Sequence, residues 1–163
     1  MKLIIHDLGP EAQERLSGKG EQVLYADGKY APCQGCFKCW TKHPASCGIR
    51  DRLQEIARVI GQAEDLTVIT GNCYGGYSPA VKRLLDRSIG TSTPLSTYRG
   101  KQMHHTLRYG KHGKLLVKVY GDVSEKERET WRLTAERNAV NDGYAEQQVL
   151  FFATKEEAEA TEA

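Results

Sequence analysis

Five short apolar runs, separated by segments of helical periodicity, constrain this chain more than any other feature. Residues 2–5, 22–26, 66–70, 114–120 and 148–153 share an apolar, strand-like character, and each reads as a strand. Between them, Leu53, Ile56, Ala57 and Ile60 fall on one face of a helical period, as do Val81, Leu84, Leu85 and Ile89. A third helix starts at Ser124, with Glu127 placed to complete a capping box and Trp131, Ala135 and Ala139 along its buried side. A fourth is brief, opened by Pro10 and ended by Gly18.

Strands that alternate with helices are joined by crossovers, and crossovers make neighbouring strands parallel with both sheet faces covered. The expected fold is therefore α/β: a flavodoxin-like three-layer sandwich around a five-stranded parallel sheet of order 2-1-3-4-5. A chain of 163 residues makes one such domain, over residues 1–154, followed by an acidic tail at 155–163 that frays or extends the last helix. In such sheets a ligand sits beyond the strand C-termini, where the winding direction reverses.

The balance of 23 basic against 21 acidic side chains leaves a net charge of +2 and no global field for nucleic acid. No stretch approaches the ~20 apolar residues of a membrane span. Residues 1–8 hold too short an apolar run for a signal peptide, so cytoplasmic residence is expected.

Four of the five cysteines lie between positions 33 and 47. Cys33, Cys36 and Cys39 are spaced C-x2-C-x2-C, and Cys47 follows, so one loop can wrap four thiolates around a small object. Compact runs of this kind hold iron-sulfur clusters. Structural zinc sites usually set two C-x2-C pairs a dozen or more residues apart, a weaker match. The third alternative is free thiols in a reduced protein, with Gly35 and Trp40 serving packing.

Residues 70–79, TGNCYGGYSP, follow an apolar strand and lead into a helix starting near Ala80. Gly75 and Gly76 let the backbone approach a flat ligand, and Tyr74 and Tyr77 can cover its faces, a layout that suits a flavin. The plainer alternative is a tight turn with Ser78 capping the next helix. Neither a phosphate-loop nor a G-x-G-x-x-G signature is present, and G-x-S-x-G and H-E-x-x-H are also missing. Residues 90–113 have no clear period. They read as a long loop or lid carrying Arg99, Lys101, His104, His105, Arg108, Lys111 and His112.

Two stretches, PCQGCFKCWTKHPASCGIRD over 32–51 and GNCYGGYSPAVKRLLDRSI over 71–89, resemble the NAD(P)H-dependent FMN reductase family. Tyr74, Ser78, Lys82, Asp86 and Arg87 match its Y-x-x-x-S-x-x-x-K-x-x-x-D-R pattern. Cys33, Cys36, Cys39 and Cys47 match the motif of its iron-sulfur flavoprotein branch, where they would ligate a 4Fe-4S cluster. The resemblance implies FMN as cofactor, NADPH or NADH as substrate, and a homodimer across the flavin site. Asn72, Cys73, Tyr74, Gly75, Gly76, Tyr77 and Ser78, with Trp40, would hold the flavin. One departure stands out. The family's Ser/Gly-rich phosphate loop is replaced by HDLGPEAQ, which places Asp7 and Pro10 where a dianion would sit; the basic segment with His104, His105 and Arg108 either compensates or is a solvated loop.

Three functions remain open on the sequence: an FMN-dependent NAD(P)H oxidoreductase passing electrons to a small molecule or redox partner, a flavin-free redox or metal protein working through the cysteines, and a degenerate relative that binds a partner.

Overall fold

Each apolar run becomes a strand of one sheet because parallel strands, covered on both faces, can place nearly every residue in the core. The computed structural model describes residues 1–17, 22–110 and 112–161. In chain order the elements are β1 (Lys2–His6), α1 (Pro10–Ser17), β2 (Gln22–Tyr25), α2 (Lys38–Thr41), α3 (Ile56–Gln62), β3 (Asp65–Gly71), α4 (Pro79–Asp86), β4 (Ser92–Arg99), β5 (Gln102–Leu107), β6 (His112–Tyr120), α5 (Glu125–Asp142), β7 (Tyr144–Phe152) and α6 (Lys155–Ala160). The main sheet runs β2-β1-β3-β6-β7, with every pair parallel. Counting only its own strands, this is the order 2-1-3-4-5.

Alternation within the strands divides the core in two. Leu3, Ile5, Leu66, Val68, Leu115, Val117 and Val119 pack with Ile56, Ile60, Val81, Leu84, Trp131 and Ala135 from α3, α4 and α5. Ile4, Val23 and Ile69 face the other way, against Ala12 and Leu16 of α1 and Ala158 of α6. Residues 155–160 thus form a separate helix docked on the sheet, neither frayed nor an extension of α5. Thr154 and Glu157 cap it reciprocally, and the Lys118 ammonium donates to Thr161 O at 2.5 Å.

The expected box at Ser124 and Glu127 is present, and Gly143 ends α5 at φ 83, a left-handed turn that favours glycine. Ser124→Ala is expected to cost about 1 kcal/mol, readable as a lower denaturation midpoint at unchanged slope. The expected stop of α1 at Gly18, along with Lys111 and the last two residues of the tail, lies outside the described residues.

Three expectations need correction. Residues 90–113 are not a long loop: a 3-10 turn at Ile89–Thr91 leads into an antiparallel hairpin of β4 and β5. Most of its side chains are exposed or only partly buried on both faces, so no apolar alternation marks it in the sequence. The helix expected from Leu53 begins at Ile56, and Ile89 lies beyond the end of α4. Strand β7 starts earlier than expected, at Tyr144, through the exposed polar residues of a sheet edge.

Among the described residues no helix is long and apolar enough to cross a membrane.

Candidate functional site

The stretch between β2 and α3 carries four cysteines and little regular structure, so its shape depends on side-chain anchors. Arg87, 1% exposed just past α4, supplies the main one. Its guanidinium forms a bidentate pair with Asp51 at 2.8 and 2.9 Å and donates to Ala31 O at 2.9 Å and Ile49 O at 3.4 Å, clamping both limbs of the loop. The Asp51 carboxyl is held below the ordinary aspartate range, chiefly by those Arg87 hydrogen bonds.

Within the loop Cys33 and Cys36 are exposed, Cys47 is half-buried, and Cys39 is buried, where desolvation pushes its thiol up. All four line one pocket of about 20 Å³. That is room for about one water molecule. Among the described residues no three Cys, His, Asp or Glu side chains are arranged to hold a metal ion. In this conformation the four thiols form no cradle for a 4Fe-4S cluster.

The β3–α4 turn is packed from beneath by α5. Asn72 Oδ1 accepts from Trp131 Nε1 at 2.8 Å and from Gly75 N at 3.1 Å, while its amide donates to Asp122 O at 2.7 Å. Cys73 and Gly76 exchange backbone hydrogen bonds of 2.9 and 3.0 Å. Gly75, at φ 78, lies so close to α5 that a Cβ there would come within 3.2 Å of Thr130. Ser78 caps α4 by accepting from Val81 N. Tyr74 is 95% exposed at a left-handed φ of 52, whereas Tyr77 is 9% exposed. Tyr77 meets Trp131 edge-on at 5.0 Å and accepts from Asn138 at 3.0 Å; burial pushes its phenol up to about 12.

The two segments converge. Gly76 and Tyr77 share with Phe37 and Trp40 the wall of a cleft of about 760 Å³. It lies on the face of the sheet between α4 and α5, running from Tyr77 to Leu66 and Leu115, and not beyond the carboxyl edge as expected. The hairpin is the reason: it reaches from Trp40, whose ring lies 4.6 Å from His105, to the end of α5, where Arg99 donates to Val140 O and His104 meets Asn141 at 2.9 Å. His104 and His105 therefore serve different elements, as adjacent residues of a strand must.

Trp40 is oriented by its own donation to Ile89 O at 2.9 Å. Asn138, Asn141 and Asp142 close the polar side of the cleft, and burial raises the Asp142 carboxyl to about 6, opposed by Arg99. Such a group can hold or release a proton near neutrality. Sequence reading missed Asp142, although an acid in the last turn of a helix opposes the macrodipole and is itself a signal.

At the carboxyl edge Asp7 turns into the sheet. Its carboxylate accepts from Gly71 N at 3.2 Å, Thr70 Oγ1 at 3.3 Å and Tyr120 OH at 2.9 Å, and the Tyr120 phenol is pushed up by burial first and Asp7 second. With Pro10 and Glu11 opening α1, this corner repels a phosphate. The cleft, of about 760 Å³ with Trp40 and Tyr77 on its wall, has room for a flat ring system, whereas the β1–α1 turn does not suit a phosphate.

Over 94% of its length the chain superposes on 86% of an NAD(P)H:quinone oxidoreductase from Methanothermobacter marburgensis, with a TM-score of 0.54 and 14% identity. It likewise matches an FMN-dependent NADH-azoreductase from Bacillus anthracis, solved with FMN, at a TM-score of 0.56 and 12% identity over 92% of this chain and 85% of that one. The fold is flavodoxin-like. A curated iron-sulfur flavoprotein from Methanocaldococcus jannaschii is 34% identical over 68 residues, which is 42% of this chain and 34% of that protein, so the chain spans about a third of that relative. No protein-family model matches the sequence. The chain thus resembles a quinone oxidoreductase and an azoreductase in fold and, over part of its length, an iron-sulfur flavoprotein in sequence.

Proposed function

We propose that this chain is a flavin-dependent NAD(P)H oxidoreductase acting on a small molecule or redox partner. The observation that carries the reading is the convergence of Phe37 and Trp40 from the cysteine loop with Gly76 and Tyr77 from the β3–α4 turn on one 760 Å³ cleft. Cofactor and ligand pockets typically measure ~300–1,000 Å³ and combine apolar walls with a few polar groups. A bound flavin would supply the hydride-accepting ring. Trp40, fixed through Ile89 O, offers an aromatic wall, and Leu66, Val68 and Leu115 exclude water from below. Asp142 can hold a proton at its carboxyl oxygen and return it to a reduced acceptor.

The four-cysteine loop carries no electron step in this reading, because among the described residues no three of its side chains are arranged to hold a metal ion and the pocket they share measures about 20 Å³. Iron and acid-labile sulfide assayed on anaerobically purified protein check that point. A homodimer across the cleft belongs to the same proposal, supported by Leu95, Tyr98 and Met103 standing exposed on the adjoining hairpin.

One observation favours a flavin-free redox or partner-binding protein instead: the saturated Asp7 carboxylate in the phosphate corner. An absorption spectrum before and after adding FMN separates the two. The oxidoreductase should bind FMN and be bleached by NADPH or NADH without oxygen. A spectrum equal to the sum of protein and free FMN would favour the alternative.

A further inference from the structure

Beside α2 and α3 lies a second cavity, of about 360 Å³, lined by Lys38, His43, Ser46, Arg50, Gln54 and Arg58 among others. Three fixed cations meet there in a chain whose whole net charge is only +2, and no acidic side chain lines the wall. Glu55, which contacts two of the lining residues, is already engaged: Arg58 Nε pairs with one carboxylate oxygen at 3.0 Å and Ser46 Oγ donates to the other at 2.5 Å. Lys38 and Arg50 make no side-chain hydrogen bond or ion pair among the described residues, so their charge is uncommitted.

Position matters as much as charge. This cavity shares Cys47 and Gly48 with the four-cysteine pocket, which in turn shares Phe37 and Ile89 with the aromatic cleft. The three chambers therefore adjoin in series, cationic at one end and aromatic at the other. At the carboxyl edge of the sheet, Asp7 excludes an anion from the β1–α1 turn.

The geometry points to the Lys38–Arg50–Arg58 cavity as a binding site for a phosphomonoester dianion, the group carried by FMN and NADPH and lacking in riboflavin and NADH. Guanidinium and ammonium groups beside an amide donor such as that of Gln54 are the side chains that recognise such a group. The flavin–nicotinamide reading is used only to name which molecules present it.

The test is titration calorimetry on the full chain at low ionic strength, where screening is weak, with FMN against riboflavin, NADPH against NADH, and inorganic phosphate alone. The phosphorylated member of at least one pair is expected to bind about tenfold tighter or more, as charge-assisted contacts allow. The pair that shows the preference identifies the source of the phosphate. Arg50→Glu and Lys38→Glu, both at exposed positions, should each erase the preference and leave the affinity for riboflavin or NADH unchanged. No preference in either pair, or one that survives both substitutions, overturns the site. Should neither flavin nor nicotinamide bind in any form, the oxidoreductase reading fails and inorganic phosphate decides alone: binding that Arg50→Glu abolishes upholds the site, and no binding sinks it.

Discussion

Replacing Arg87 with alanine is expected to lower the stability of this protein by about 3 kcal/mol. Breaking a buried ion pair by removing one partner typically costs ~3–5 kcal/mol, and the lower end applies because the Asp51 side chain keeps 22% of its exposure. The loss arises from more than one charge. Ala31 O and Ile49 O would lose a donor, and the limbs of the cysteine loop before and after the thiols would lose their common anchor. Cys39, buried in the native loop, should then react with a thiol reagent as fast as Cys36 does. The pH dependence follows from the same pair. A carboxyl whose folded pKa is depressed contributes stability above its unfolded value of ~4, and that contribution is lost as pH falls through the folded pKa. Urea melts at pH 7 and pH 3 should therefore show wild type and variant drawing together in acid. A variant within ~1 kcal/mol of wild type at pH 7 would deny Arg87 this role.

The sheet was legible because its inner strands β1, β3 and β6 are largely buried on both faces, so each appears as a compact apolar run whatever its neighbours do. Ser124, Glu127 and Trp131 were legible for a similar reason: capping and the helical period are local. The hairpin was not. Its residues are mostly exposed on both faces, and its pairing is with itself, which leaves no apolar period to read. That gap had a consequence for the site, since the hairpin spans from Trp40 to the end of α5 and so determines where the cleft lies. Of the residues marked for a flavin, Trp40, Gly76 and Tyr77 face the cleft, whereas Asn72, Gly75 and Ser78 are spent on holding the turn and Tyr74 stands in solvent. A strand–glycine–helix pattern specifies that a tight turn exists. Which of its side chains turn inward depends on Thr130, Trp131 and Asn138 of α5, each more than fifty residues from its partner in the turn. Asp7 illustrates the opposite case. Its charge was readable as hostile to phosphate, but the three donors that hold it come from β3 and β6, which only the fold brings together.

Trp131→Ala should be the most damaging change on the cleft side, with an expected loss of about 3–5 kcal/mol. Trp131 is fully buried in the larger core, so truncation leaves a cavity walled by α5 and the sheet. It also removes the edge-on partner of Tyr77 and the indole donor to Asn72 Oδ1. Trp131→Phe separates these contributions, because it keeps most of the volume and loses the hydrogen bond. Asn72 Oδ1 would still accept from Gly75 N, so the phenylalanine variant should cost only about 1–2 kcal/mol. Denaturant melts of the two variants give the comparison directly, and near-equal losses would show that the hydrogen bond, and not the packed volume, carries the effect. The functional readout follows from geometry: Tyr77 forms part of the cleft wall and is positioned by Trp131 on one side and Asn138 on the other. With one support gone, Tyr77 acquires rotamers that enter the cleft, and any flat ligand bound there should lose affinity. Arg87→Ala frees the cysteine loop, which contributes Trp40 and Phe37, and should weaken the same ligand from the opposite wall. Parallel weakening by two substitutions with no shared contact is the expected signature of one cleft bounded by both segments.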